Sequence, residues 1–190
     1  FFFFFLGVEK TYAMLEEADE QVKLGRNVFF FFVEPNKRPE IMELLEGLKQ
    51  LPTKVYEHKG IKLNDFDLDG ALSLHPDLVL VDELAHTNPK EARNTKRYQD
   101  IEELLTAGID VYTTVNVQHI ESLNDVVEEM TGIEVKETVP DIFFEESSLK
   151  VIDIETTELL ERLRLGKIYQ ERATSRALEN FFVPEKLNLL

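Results

Sequence analysis

The chain has 190 residues, of which 43% are hydrophobic and 31% charged, with a formal net charge of −16 and no cysteine. This length and composition suit one globular domain with a sizeable core and a short extension. The acidic balance argues against nucleic-acid binding and against direct contact with an anionic membrane, because both need a basic face. The lack of cysteine excludes disulfides and thiolate metal sites and fits a reducing compartment. No apolar run reaches the length of a membrane span, and no signal peptide is visible.

The first part of the chain alternates between apolar runs and helical patterns. Strand patterns at about residues 1–5 and 28–34 flank a helix pattern at about 9–24, and a second helix pattern covers about 39–50. This alternation is the signal for βαβ units around a parallel sheet. Both strand patterns consist largely of phenylalanine. Because large rings on both faces overfill a sheet that is buried on two sides, we expect crowded packing there.

The rest of the chain continues the alternation. A weak strand pattern at Val55-Tyr56 precedes a helix that starts at Asp65 or Asp67 and ends before His75. The later predicted elements are a buried strand at Leu78–Val81, a helix at about 98–106 capped by Gly108, a strand at Asp110–Val115, a helix at about 118–130, weak strands at 133–137 and 151–154, and helices at about 157–165 and 171–182. The pattern predicts an α/β fold with an open, mainly parallel sheet and helices on both faces.

The chain is predicted to have two parts. The alternating pattern fills residues 1–155, which we expect to form a nucleotide-binding domain of the phosphate-loop type. Residues 156–190 are richer in arginine and read as helices, and we expect them to form a helical extension toward a following domain.

A short segment between the first strand and the first helix carries a phosphate-loop pattern. Such a loop wraps anionic oxygens in backbone N–H groups, adds one lysine and offers a hydroxyl to magnesium. The matching residues are Gly7, Val8, Lys10 and Thr11. Glu9 stands where the loop needs glycine, and its carboxylate competes for the N–H donors and repels phosphate. The segment therefore allows two interpretations, a phosphate loop or an ordinary start of a helix.

Two acids follow the buried strand Leu78–Val81. A hydrophobic strand that ends in acids is the second motif of phosphate-loop nucleotide hydrolases, in which the first acid holds magnesium through water and the second polarises the attacking water. Here these acids are Asp82 and Glu83. Alone, the pattern fits a core strand with a solvated turn equally well or better. Together with Lys10 and Thr11 it favours a nucleotide site at the carboxyl edge of the sheet, with Thr11 and Asp82 toward magnesium.

Other polar residues have open interpretations. Asn116 lies at a predicted strand-to-helix turn, where it can sense a terminal phosphate or cap the helix at Gln118. His86 follows the acid pair and can contact a ligand or order its own loop. The four histidines lack zinc spacing. Asp65–Gly70 imitates a calcium loop, but Pro76 stands where the bidentate glutamate is needed, so acids at a helix start explain it better.

Long strings of the sequence resemble the KdpD potassium-sensor histidine kinases of bacteria. The strings are Leu80–Asn88, Lys96–Leu105, Gly108–Asp125, Glu137–Asp141 and Ala177–Phe182. The resemblance is to the N-terminal cytoplasmic domain of that family and covers nearly the whole chain. It implies a phosphate-loop NTPase-like fold that binds ATP and Mg²⁺ in a regulatory role.

The resemblance also implies partners and a location. The family tunes the phosphorylation of the KdpE response regulator, so we expect contacts with that regulator and with other domains of the parent kinase. The implied location is the cytoplasmic side of an inner-membrane protein. The residues that match the family's two motifs are Gly7, Val8, Lys10, Thr11, Asp82 and Glu83.

The alternative function is a scaffold or interaction module whose nucleotide pocket does not work. It is motivated by the departures from the family pattern, because this chain has Phe3–Leu6, Glu9 and Phe31 where the family has small residues or glycine. Phosphotransfer by this chain itself is a third and weaker candidate. The sequence shows neither a kinase ATP lid nor a phospho-acceptor histidine motif.

Overall fold

The apolar runs of the sequence form strands, and the amphipathic stretches between them form helices. The computed structural model describes residues 2–7, 10–31, 39–131, 134–145 and 147–152. The strands are β1 (Phe2–Gly7), β2 (Val28–Phe31), β3 (Lys49–Gln50), β4 (Thr53–His58), β5 (Ile61–Phe66), β6 (Leu78–Val81), β7 (Asp110–Val115) and β8 (Ser148–Ile152). The helices are α1 (Lys10–Lys23), α2 (Pro39–Leu45), α3 (Leu68–Leu74), α4 (Arg97–Thr106) and α5 (Glu121–Thr131).

Six of the strands form one parallel sheet in the order β3–β2–β6–β7–β1–β8. β7 lies between β1 and β6, with Val81 level with Thr113 and Leu6 level with Val115. The carboxyl ends of β1, β6 and β7 therefore meet at one edge of the sheet. This arrangement confirms the predicted α/β fold with a mainly parallel sheet.

The two faces of the sheet pack against different helices, because successive side chains of a strand point to opposite faces. Helices α1 and α2 cover one face, where the buried side chains include Met14, Leu15, Val28, Phe30, Ile41, Leu78, Leu80 and Tyr112. Helices α3 and α4 cover the other, where they include Phe31, Leu68, Ala71, Val79, Val81, Ile101, Leu104 and Val111. The apolar strands β2 and β6 are thus buried between two layers of helices.

The phenylalanine run of β2 divides between these two layers. Phe30 and Phe31 are both buried but belong to opposite clusters. The ring of Phe31 packs on that of Phe66, with 5.1 Å between centroids. Phe29 is only partly buried, and the Lys49 ammonium lies 5.5 Å from its ring centroid. Phe29, Phe30 and Phe31 therefore each pack against different neighbours.

A hairpin of β4 and β5 stands apart from the main sheet as a two-stranded antiparallel unit. Lys59 and Gly60 form its turn with φ of 49° and 80°, the left-handed conformations that a tight hairpin needs. The sequence predicted only a short strand at Val55-Tyr56. Asp65 is the penultimate residue of β5, so it does not start the helix that follows. Asp67 caps α3 instead, accepting a hydrogen bond from a backbone N–H.

Three further predictions need correction. The predicted helix at 39–50 ends at Leu45, because Lys49–Gln50 pairs with β2 as a strand. The predicted weak strand at 133–137 is irregular over the described residues 134–137. These residues contact the fold through the Val135 carbonyl, which accepts from Asn124, and the Glu137 carbonyl, which lies 2.6 Å from His119 Nδ1. Residues 117–119 form a 3₁₀ turn, so the following helix α5 begins later than predicted.

The other predicted elements lie close to their observed positions. Within the described residues, helix α1 spans Lys10–Lys23, and α4 ends just before Gly108, whose φ of 82° suits glycine after a helix. The predicted helices at 157–165 and 171–182, and the boundary at 155/156, lie outside the described residues. Within the part of the chain that is described, no helix has the length and apolar character needed to cross a membrane.

Candidate functional site

The predicted phosphate-loop and acidic residues meet at the carboxyl edge of the sheet. β1 ends at Gly7, α1 begins at Lys10, and Asp82 follows the last residue of β6. Parallel pairing through β7 places these strand ends side by side. Asn116 follows Val115 of β7 at the same edge. Val8 lies outside the described residues.

Asp82 is the centre of this arrangement, because hydroxyls from two different elements point at its carboxylate. The Thr11 hydroxyl of α1 donates to Asp82 Oδ2 at 3.4 Å. The Thr114 hydroxyl of β7 donates to Asp82 Oδ1. The backbone N–H of Glu83 lies 3.1 Å from Asp82 Oδ1 and 3.1 Å from Thr114 Oγ1. The carboxylate is therefore held in a fixed orientation between α1 and β7.

Lys10 lies close enough to both acids for their charges to affect its titration. Burial disfavours the charged ammonium and lowers the pKa of Lys10, and the nearby carboxylates of Asp82 and Glu83 only partly oppose this. The lysine, the threonine and the acids thus form one polar group, as the two sequence motifs predicted.

The segment Asp82–His86, which we call the acidic turn, has an unusual backbone. Glu83 has φ of 57°, a left-handed conformation that costs energy in a residue with a Cβ. The Leu84 N–H donates to the Thr114 carbonyl at 2.9 Å, and the His86 N–H donates to the Glu83 carbonyl at 3.0 Å. These hydrogen bonds hold the turn in a conformation that is not intrinsically favoured.

His86 orders the loop that contains it. Its Nε2 lies 3.1 Å from Asp65 Oδ2, at the end of β5. Burial alone would raise the pKa of Asp65, but the hydrogen bond from His86 and the charge of Arg97 outweigh this effect and lower it. Of the two interpretations of His86 from the sequence, loop ordering therefore has direct contacts.

Arg97 is a site residue that the sequence did not reveal. Its side chain is fully buried beside the rings of Phe31 and Phe66, at 5.1 and 5.3 Å from their centroids. Its Nη2 donates to Asp65 Oδ1, and its Nε donates to Asn88 Oδ1 at 3.2 Å. A Lys-Arg pair at a helix start is usually solvated, so the residue types alone gave no signal of this burial.

Asp100 completes the buried polar group. Asn88 donates to its Oδ2 at 2.7 Å and Asn94 to its Oδ1 at 3.0 Å, while Arg97 Nε lies 3.4 Å from Oδ2. Burial raises the pKa of Asp100, and the two amides and the guanidinium oppose this only in part. We refer to Arg97, Asp65, His86, Asn88 and Asp100 as the arginine cluster.

Asn116 is placed differently from the rest of the predicted site. It precedes the 3₁₀ turn Val117–His119, and its side chain makes no capping hydrogen bond there. Its backbone carbonyl accepts from the His119 N–H at 3.0 Å. Thr114, two residues before Asn116, instead makes the contact with the acidic motif.

Comparison with known proteins shows which family the chain belongs to. The family described as "KdpD: Osmosensitive K+ channel His kinase sensor domain" matches residues 1–190. The chain belongs to the KdpD family. The "Sensor protein KdpD" of Clostridium acetobutylicum is 51% identical over 191 residues, which cover 100% of this chain and 21% of that protein. The "Sensor protein KdpD" of Escherichia coli K12 is 50% identical over 177 residues, covering 93% of this chain and 20% of that protein.

A shorter relative also matches. The "Putative sensor protein KdpD" of Synechocystis is 44% identical over 182 residues, covering 95% of this chain and 49% of that protein. The chain thus spans about a fifth of the length of the two longer KdpD relatives. Membership of the KdpD family confirms the resemblance drawn from the sequence strings.

Proposed function

We propose that the chain is the ATP- and Mg²⁺-binding regulatory domain of a potassium-sensing two-component histidine kinase. The observation that carries this proposal is that Thr11 and Lys10 of the phosphate-loop motif lie beside Asp82 of the acidic motif. A hydroxyl, a carboxylate and an ammonium at the carboxyl edge of a parallel sheet are the groups that a nucleotide phosphate and its magnesium ion need.

The available donors fit magnesium. Hydroxyl and carboxylate oxygens are hard ligands, and Mg²⁺ is typically held by one or two carboxylates together with waters and substrate phosphates. Thr11 and Asp82, whose side-chain oxygens are 3.4 Å apart, would hold the ion. Bound Mg²⁺ would neutralise phosphate charge. Lys10 supplies the cation for a phosphate, and Gly7 and Val8 supply backbone N–H groups of the loop.

The conformation of the acidic turn favours a role in sensing a bound ligand over a role in catalysis. Thr114 and the Glu83 N–H fix the Asp82 carboxylate, while Glu83 itself sits in a strained backbone conformation beside it. A ligand that changes the contacts of Asp82 therefore acts on a turn with stored strain. In the parent kinase we propose that this change tunes the phosphorylation of the response regulator on the cytoplasmic side of the membrane.

Calorimetric titration with ATP and MgCl₂ tests the proposal. We expect saturable binding with a Kd below about 1 mM. Lys10→Met should weaken it by about tenfold or more, because a charge-assisted contact to phosphate is lost. Lys23→Met is the matched control, since Lys23 ends the same helix and pairs only with exposed Asp19 and Glu20 in the described part of the chain. Equal affinity of both variants would overturn the assigned site.

A second candidate function is a scaffold module with a non-working pocket, and Glu9 favours it. A carboxylate in place of glycine competes with phosphate for the N–H groups at the start of α1. If Mg-ATP fails to saturate the chain at millimolar concentration, Glu9→Gly separates the two candidates. Binding recovered by Glu9→Gly indicates a nucleotide site blocked by one residue, whereas no recovery favours the scaffold.

A further inference from the structure

The arginine cluster places a full charge in the interior of the protein, where Arg97 is fully buried. Burying an ion is unfavourable, and well-packed apolar residues in place of a buried ion pair are often as stable or more so. A contribution to folding stability therefore does not explain why an arginine is buried here. The hydrogen bonds that Arg97 makes explain it better.

Arg97 contacts the segment that follows the acidic motif at two points. Its backbone N–H donates to the His86 carbonyl at 3.0 Å, and its Nε donates to Asn88 at 3.2 Å. A third contact is indirect, since Nη2 donates to Asp65, whose other oxygen holds the His86 ring. The backbone of Arg97 thus holds the His86 carbonyl, while its side chain holds Asn88 directly and the His86 ring through Asp65.

The other end of the turn is fixed by the site itself. Thr114 holds Asp82 by its hydroxyl and Leu84 by its carbonyl. Between these two anchors lies Glu83 with its positive φ. A strained residue keeps its conformation only if the surrounding contacts over-determine it. Release of the His86 end would let Glu83 relax toward an ordinary conformation.

We propose that Arg97 is a positioning residue that holds the acidic turn in the conformation in which Asp82 and Glu83 face Lys10 and Thr11. The planar guanidinium suits this role because its fork reaches Asp65 and Asn88 at once, and the rings of Phe31 and Phe66 pack beside it. The expected effect of Arg97 on ligand binding rests on the function proposed above, whereas its effect on the conformation of the acidic turn does not.

The test is amide hydrogen exchange on the ligand-free chain with Arg97→Lys. Lysine keeps the charge beside Asp65 but lacks the fork. We expect the amides of Leu84 and His86 to exchange about tenfold faster than in the wild type, while Val79 in the core of β6 changes little. A purely structural arginine would instead change all three amides together. Unchanged exchange of Leu84 and His86 relative to Val79 would overturn the proposal.

Arg26→Lys is the matched control. Arg26 also bridges three groups, but at the opposite edge of the sheet, where its Nη2 donates to the Asp77 carbonyl and to Asp110. We expect faster exchange near Asp110 in this variant and none of the effect on Leu84 and His86. If Arg97→Lys does not fold, the double change Arg97→Met with Asp65→Leu removes the ion pair as a unit, and the same ratio of exchange rates decides.

A ligand titration separates this proposal from the proposed function. If the wild type binds Mg-ATP, Arg97→Lys should weaken binding by about tenfold and leave Mg²⁺-free ATP binding unaffected, because the defect lies at the acids. Loss of both to the same degree would overturn the positioning of the magnesium side. If the wild type binds no Mg-ATP, the proposed function fails and the exchange experiment still decides the role of Arg97.

Discussion

The two edges of the sheet use arginine in different ways. At the amino edge, Arg26 forms an ion pair with Asp110 and donates to the backbone carbonyl of Asp77, with 29% of the arginine side chain exposed. At the carboxyl edge, Arg97 is fully buried and reaches the acidic turn rather than a strand. The first arrangement ties together the starts of strands. The second controls the shape of a loop that carries the candidate site, which explains why the costlier burial is found there.

Removal of Arg97 should have the largest effect on stability. Arg97→Ala leaves Asp65 and Asp100 buried without their cation, and we expect a loss of about 3–5 kcal/mol of unfolding free energy in urea denaturation. A loss below about 1 kcal/mol would mean that the carboxylates protonate or hydrate easily, and that the two edges do not differ.

Thr114→Val tests the other anchor of the acidic turn. The change keeps the shape of the side chain and removes the hydroxyl that Asp82 accepts from. We expect a loss of about 1–1.5 kcal/mol, and a weaker response of nucleotide binding to Mg²⁺, measured by denaturation and titration.

Thr113→Val is its control in the same strand. Among the described residues the Thr113 hydroxyl is buried with no hydrogen-bond partner. Removing an unsatisfied hydroxyl should leave stability equal or slightly higher, with unchanged binding. Equal losses in both variants would show that packing, rather than the contact with Asp82, explains the effect.

Arg26→Ala should have a smaller effect than Arg97→Ala. Its partners are partly exposed and can be solvated once the arginine is gone, so we expect a loss of about 1 kcal/mol in the same denaturation experiment. A loss as large as that of Arg97→Ala would contradict the distinction between the two edges.

The pH dependence of stability distinguishes the two carboxylates of the arginine cluster. The pKa of Asp65 is lowered by folding, so its contribution is present above its unfolded pKa and is lost as pH falls through its folded pKa. The pKa of Asp100 is raised, so its contribution is present at low pH and is lost as pH rises through its folded pKa. Denaturation between about pH 2 and 7 should show opposite changes of slope for Asp65→Asn and Asp100→Asn. If the slope of stability against pH changed in the same direction in both variants, the opposite pKa shifts of Asp65 and Asp100 would be contradicted.

The sequence predicted the parallel sheet and the convergence of its motifs because both depend on local patterns. Apolar runs such as Leu78–Val81 identify buried strands, and Lys10, Thr11 and Asp82 have recognisable spacing to those runs. The strand Lys49–Gln50 was missed because two polar residues carry no strand pattern. The hairpin was missed although Ile61 and Leu63 alternate with Lys62 and Asn64, because most of it is exposed and its apolar residues do not form a run that indicates a buried strand.

The arginine cluster was beyond prediction for a different reason. Arg97 and Asp65 are 32 positions apart and meet only once the hairpin packs beside α4. Nothing in either residue type indicates burial, since arginine and aspartate are usually exposed. The same holds for Thr114, whose partner is decided by the register of β7 against β6.

The order of the strands also has a consequence for how the chain folds. β1 is among the first segments of the chain, yet it pairs with β7 and β8 and not with β2. Its hydrogen bonds must wait until residues more than a hundred positions later are available, which slows folding and leaves an apolar strand unpaired meanwhile. The phenylalanine-rich start of the chain is therefore the segment most exposed to intermolecular β-pairing during synthesis, and we expect refolding yield to fall as protein concentration rises.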